Sequence, residues 1–139
     1  MLMWDELSVG HARLLWRYGT EHPRDALGQR GRFLAAVRMH LGSNIDEFAT
    51  KLIYTELVGN VVRHAPGAVE IKLQSNGRSV LLEVADGGPG FEPAHGLPPA
   101  LAETGRGLFL VAQFAERMWV ESNPNRGAKI VAELPRPRW

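Results

Sequence analysis

Glu56 and Asn60 stand four residues apart in Glu56-Leu57-Val58-Gly59-Asn60-Val61-Val62-Arg63-His64, inside a stretch that otherwise reads as a buried helix. At about 100° per residue, Asn60 lies roughly 40° round from Glu56, with Arg63 and His64 on the same side. A carboxylate, an amide and two basic groups then share a stripe flanked by Leu52, Leu57, Val58, Val61 and Val62. Leaving such groups buried and unpaired costs on the order of 1–3 kcal/mol each, so the stripe implies a ligand, a metal or a polar network bridging helices. Asn60's amide oxygen is a hard ligand suited to Mg2+, which keeps its waters and takes few protein oxygens. Glu56 suits a water-mediated ligand or a general base for an attacking hydroxyl or water. His64, next to Ala65-Pro66, reads as a cap for helix carbonyls.

Two glycine motifs complete the chemistry. Asp86-x-Gly88-x-Gly90 follows a strand directly and either makes a tight turn or presents a fixed carboxylate to N–H donors such as an adenine amine. Gly105-Arg106-Gly107 opens a helix, where bare backbone N–H groups and the helix dipole suit phosphate oxygens; a plain helix start reads the same way. No Gly-x-x-x-x-Gly-Lys-Ser/Thr occurs, which excludes a P-loop. A Rossmann site is excluded because Gly105 does not directly follow a strand.

The elements that must hold these residues follow from periodicity. Leu27, Phe33, Leu34, Val37 and Leu41 recur at helical intervals from Asp25 to His40, ended by Gly42. Ser43 or Asn44 is the expected cap of the next helix, with Asp46 and Glu47 in its first turn and its end near Ala65. Val69, Ile71 and Leu73 then alternate with polar residues, Asn76-Gly77 signals a hairpin, and Val80, Leu82 and Val84 alternate on the return strand. Phe91 to Thr104 lacks periodicity and reads as a mobile loop. A helix from Leu108 to about Glu116 and strands over Met118–Ser122 and Ala128–Leu134 close the pattern. Ala12 to Tyr18 fits a strand or a short helix. Leu14, Leu15, Trp16 and Tyr18 there would either cover the sheet or form a homodimer surface. The order predicts an α/β two-layer sandwich, with helices on one face of a mostly antiparallel, mixed sheet. The expected division is an N-terminal segment, 1–24, and a single domain, 25–139.

The three motifs in this order resemble the Bergerat fold of the GHKL superfamily, which includes gyrase, histidine kinases and MutL. The resemblance spans residues from about 25 to 134. The free-standing domain, short lid, Gly105-Arg106-Gly107-Leu108-Phe109-Leu110-Val111 and Gly127 are most similar to the anti-sigma-factor serine/threonine kinases. That resemblance implies Glu56 as catalytic base and Asn60 as Mg2+ ligand. It implies ATP contacts from Asn60, Arg63, Asp86, Gly88, Gly90, Gly105, Arg106, Gly107 and Leu108, with 91–104 as lid. It also implies transfer of the γ-phosphate to a serine of an anti-anti-sigma-type antagonist protein, which competes with a sigma factor for the kinase. Two positions depart from the pattern: Ala128 stands where many relatives carry Thr, and Val61 where they often carry Ala.

Composition narrows the classes. The 139 residues are 45% hydrophobic with a net charge of +1, which fits a globular domain and argues against nucleic acid as a direct partner. There are no cysteines, hence no disulfide or thiolate metal site. No apolar run approaches a membrane span of about 20 residues, so a cytoplasmic protein without membrane contact is expected. The alternatives to a kinase are a non-catalytic, ATP-gated binding module and the ATP-binding half of a two-component histidine kinase.

Overall fold

The computed structural model describes residues 12–64, 67–86, 105–123 and 127–136. Gly88, Gly90, the expected lid at 91–104 and most of the Asn123–Gly127 turn lie outside them. Among the described residues the elements follow in the order β1 (Arg13–Thr20), α1 (Pro23–Leu27), α2 (Arg30–Leu41), α3 (Glu47–His64), β2 (Val69–Ser75), β3 (Val80–Asp86), α4 (Gly105–Phe114), β4 (Arg117–Asn123) and β5 (Gly127–Glu133). The strands form one open sheet in the order β1-β2-β3-β5-β4. Each of its four pairings is antiparallel, so the sheet holds no parallel pair among the described residues.

Alternation along the strands decides which face meets the helices. Val69, Ile71 and Leu73 of β2, Val80, Leu82 and Val84 of β3, and Ile130 and Ala132 of β5 are buried in one cluster. Phe33, Leu34 and Val37 of α2 join it, with Ile53, Leu57, Val58 and Val61 of α3 and Leu108 and Val111 of α4. Arg13–Thr20 is a strand, and a bulge between Leu14 and Trp16 sets its register. Trp16 and Tyr18 consequently turn inward, where Trp16 meets the rings of Phe33 and Tyr54 at 6.0 and 6.5 Å, whereas Leu14 is exposed. The edge strand thus covers the core from within the sheet.

Local chemistry explains where the helices begin and end. The stretch expected as one helix from Asp25 to His40 is two, α1 and α2, with Pro23 in the first turn of α1. The chain turns at Gly28, whose N–H donates to the Asp25 carbonyl at 3.2 Å. The cap of α3 is neither Ser43 nor Asn44 but Asp46, whose Oδ1 accepts the Ala49 N–H at 3.0 Å. Tyr54 ties α3 to α1 by donating to the Ala26 carbonyl at 2.6 Å. Burial raises this phenol well above the ordinary tyrosine range, and Tyr18 adds to the shift.

The outer face of the sheet carries a polar ladder. Lys129 Nζ lies 3.3 Å from Glu83 Oε1 and 3.2 Å from Glu121 Oε1, and Gln74 donates to Glu83. Burial opposes the lysine's charge, but Glu83 and Glu121 outweigh it and lift its pKa above the usual lysine value. In the β2–β3 connection, Asn76 Oδ1 accepts the N–H groups of Arg78 and Ser79 at 2.9 and 2.7 Å, while Gly77 takes φ 91°. The Asn-Gly pair therefore opens a four-residue loop rather than forming a two-residue turn.

Candidate functional site

Helix α3 presents the stripe. Asn60 is buried at 5% exposure, Glu56 is half-buried and Arg63 is exposed. Between them sits Gly59, which is also buried. A Cβ at Gly59 would lie 3.1 Å from Arg63 Nη1, so the Arg63 side chain folds back along its own helix over the glycine. Arg63 and Glu56 are two turns apart, and this path points the guanidinium towards the carboxylate's side of the helix.

Helix α4 closes the other side. Gly105, Arg106 and Gly107 do not precede the helix but form its first turn, with Leu108 buried in the core behind them. A Cβ at Gly107 would stand 2.5 Å from Glu56 Oε1 and 3.9 Å from Arg63 Nη2. Three residues predicted from sequence, Glu56, Arg63 and Gly107, are therefore gathered where α3 meets the N-terminal turn of α4. The positive dipole end of that turn makes the spot favourable to anions.

Asp86 ends β3 and pairs with Val69. Alternation from Val80, Leu82 and Val84 places it on the helix-facing side, and Val69 follows α3 after a short connection, so Asp86 lies at the same end of the domain as the C-terminal end of α3. Asp86 and Asn60 each have an interaction partner within the fold. A cavity of about 510 Å3 opens beside Asp86 and is lined by Arg17, Thr20, Glu21, Val69 and Ala85 among others. Ala128, the departure noted from the resemblance, is the second residue of β5, after Gly127, whose φ of 86° favours glycine. Gly88 and Gly90 lie outside the described residues.

No group of three His, Asp or Glu capable of holding a metal occurs among the described residues. A cation here would be held by the Asn60 amide oxygen, water and the oxygens of a polyphosphate, an arrangement Mg2+ favours. Sequence reasoning missed Gly59. Its signal was available: a glycine in the middle of an 18-residue helix costs about 1 kcal/mol relative to alanine and needs a local reason.

With this geometry, the sequence matches the histidine kinase-like ATPase domain family over residues 23–133. The chain belongs to that family. Among its relatives is the anti-sigma F factor of Clostridium kluyveri, 29% identical over 110 residues, 70% of this chain and 78% of that protein. The serine/threonine-protein kinase BtrW of Bordetella bronchiseptica is 33% identical over 79 residues, 48% of this chain and 56% of that protein. No helix among the described residues is long and apolar enough to cross a membrane.

Proposed function

We propose that this chain is an ATP-dependent protein serine/threonine kinase of the anti-sigma type, acting in the cytoplasm as a switch on a partner protein. In this reading Asp86 accepts hydrogen bonds from the adenine edge, and the first turn of α4, Gly105 to Leu108, faces the phosphates together with Arg63. The Asn60 amide oxygen would hold Mg2+, which would neutralise charge on the triphosphate when bound. Glu56 accepts the proton of a partner's serine hydroxyl as its oxygen attacks the γ-phosphorus and ADP departs. Such a reaction needs positioning and electrostatic stabilisation rather than a covalent enzyme intermediate. The partner is an antagonist protein that competes with a sigma factor.

The observation that most supports this reading is the apposition of Glu56 with the glycine turn of α4. A proton acceptor next to an anion-favouring helix terminus is what transfer to a hydroxyl requires. The relatives' names, an anti-sigma factor and a serine/threonine kinase, support the same class. Calorimetry with Mg-ATP, followed by incubation of γ-labelled ATP with proteins that copurify from the native cell, tests it. Label on a serine of a copurifying protein, lost in Glu56→Ala while ATP still binds, is the expected result. Folded protein with no affinity for Mg-ATP at millimolar concentration would overturn the reading.

A further inference from the structure

Gly31, Gly59 and Gly107 lie inside helices, and their surroundings differ. A Cβ at Gly31 in α2 would meet open space. At Gly59 it would press on the flexible end of Arg63, at 3.1 Å. At Gly107 it would overlap Glu56 Oε1, at 2.5 Å, a separation real side chains do not tolerate. Something must move, and the yielding group is the far end of the Glu56 side chain rather than backbone.

We infer that Gly107 is a positioning residue for the Glu56 carboxylate: its missing side chain is the seat on which Oε1 rests. The inference rests on Glu56 being the base of the proposed reaction. A glycine in this turn is usually explained by the room it gives a phosphate, and that explanation predicts no relation to Glu56. The contact here is to the carboxylate itself. Half-buried Glu56 is bounded on this side by the α4 backbone, with the Arg63 guanidinium flanking the same spot. Occupying the seat swings the carboxylate to another rotamer without unfolding anything, since the glutamate has freedom to retreat. Misplacing a reacting group by about 1 Å costs on the order of 100-fold in rate, whereas ground-state nucleotide binding does not use the base.

The test is Gly107→Ala, alone and combined with Glu56→Asp, whose carboxylate is one methylene shorter. Three quantities are measured: ADP release from Mg-ATP with water as acceptor, the Kd for Mg-ATP, and the Glu56 side-chain carboxyl 13C resonance, assigned by its loss in Glu56→Gln. Gly107→Ala is expected to lower turnover about 10- to 100-fold, with a clearly smaller loss of Mg-ATP affinity because the same turn faces the phosphates, and with the 13C resonance displaced. Glu56→Asp is expected to lower turnover in the wild-type background but to cost nothing further, or to restore activity, beside Ala at position 107. Wild-type turnover in Gly107→Ala, a fall in turnover matched by an equal loss of affinity, or an unmoved carboxyl resonance overturns the inference. If the wild-type protein binds Mg-ATP but releases no ADP and transfers no label, the kinase reading fails instead, and the resonance alone then decides whether Gly107 seats the carboxylate.

Discussion

Gly59→Ala puts the helix and the site in opposition, and the structure decides which wins. In the interior of α3, alanine is worth about 0.5–1 kcal/mol over glycine, because glycine loses more backbone freedom on folding. Against this stands one contact, the added Cβ at 3.1 Å from Arg63 Nη1; the other atoms nearby, Arg63 Cζ and Nη2, lie at 3.8 and 4.0 Å. Relief requires a shift of a few tenths of an ångström by the end of an exposed arginine, which costs well under about 0.5 kcal/mol where no ion pair pins it. The helix term therefore dominates. Gly59→Ala should be stabilised by about 0.5 kcal/mol, raising Tm by roughly 2–3 °C for a domain of this size. Urea unfolding with an unchanged m-value is the assay. If Arg63 contacts phosphate, pushing its guanidinium aside should weaken Mg-ATP about two- to fivefold, the range of a single partly exposed ionic contact. A variant destabilised by more than about 1 kcal/mol would refute the reasoning, since the Arg63 side chain would then be held rigidly over the glycine.

Asp86→Asn should leave the protein folded while weakening Mg-ATP at least about tenfold, because a hydrogen bond to a charged group carries roughly 1.5–3 kcal/mol; equal affinity by calorimetry would remove Asp86 from the adenine site. Tyr54→Phe leaves the Ala26 carbonyl without its 2.6 Å donor in a fully buried setting, so a loss of about 1–3 kcal/mol is expected in chemical denaturation. Lys129 has a folded-state pKa raised above its unfolded value, so its contribution is complete below the unfolded pKa of about 10.5 and is lost as pH climbs through the folded one. The stability difference between wild type and Lys129→Met should thus hold constant below about pH 10 and shrink as pH climbs past about 10.5, and a difference unchanged across that rise in urea unfolding would deny the ladder its role.

What the sequence disclosed and what it hid have distinct physical causes. The β2–β3 hairpin was legible because Val69, Ile71 and Leu73 alternate cleanly and Asn76-Gly77 permits only a few chain reversals. The outer face of β3 was not, because Leu81 and Glu83 are buried as well and no two-fold pattern distinguishes them. The end of α2 was marked by Gly42, which takes φ 83°. The break between α1 and α2 was hidden, since Leu27 and Phe33 keep a helical rhythm across it and Gly28 turns at an ordinary negative φ. Asp46 was noticed only as a favourable charge, although its side chain is the cap; Ser43, Asn44 and Asp46 are all competent acceptors, and geometry alone selects among them.

The same distinction explains how the candidate site came to be readable in its residue types but not in its contacts. Glu56, Asn60 and Arg63 were visible because polar groups interrupt an apolar helix, a local signal that needs no tertiary knowledge. The approach of Gly107 to Glu56 joins positions on two helices far apart in sequence, and nothing in either segment encodes that distance. It arises because Leu108 and Val111 of α4 enter the same core as Leu57, Val58 and Val61 of α3, which brings the first turn of α4 against the polar stripe. The apolar residues thereby set the geometry of the polar ones. Substituting Val111 by a smaller residue should accordingly loosen the α3–α4 apposition and disturb Glu56 as well as stability, whereas trimming Phe109, which is 61% exposed on the same helix, should do neither. Denaturation and Mg-ATP turnover, measured on both variants, separate the two cases: parallel losses in both proteins would mean that the core does not position the carboxylate.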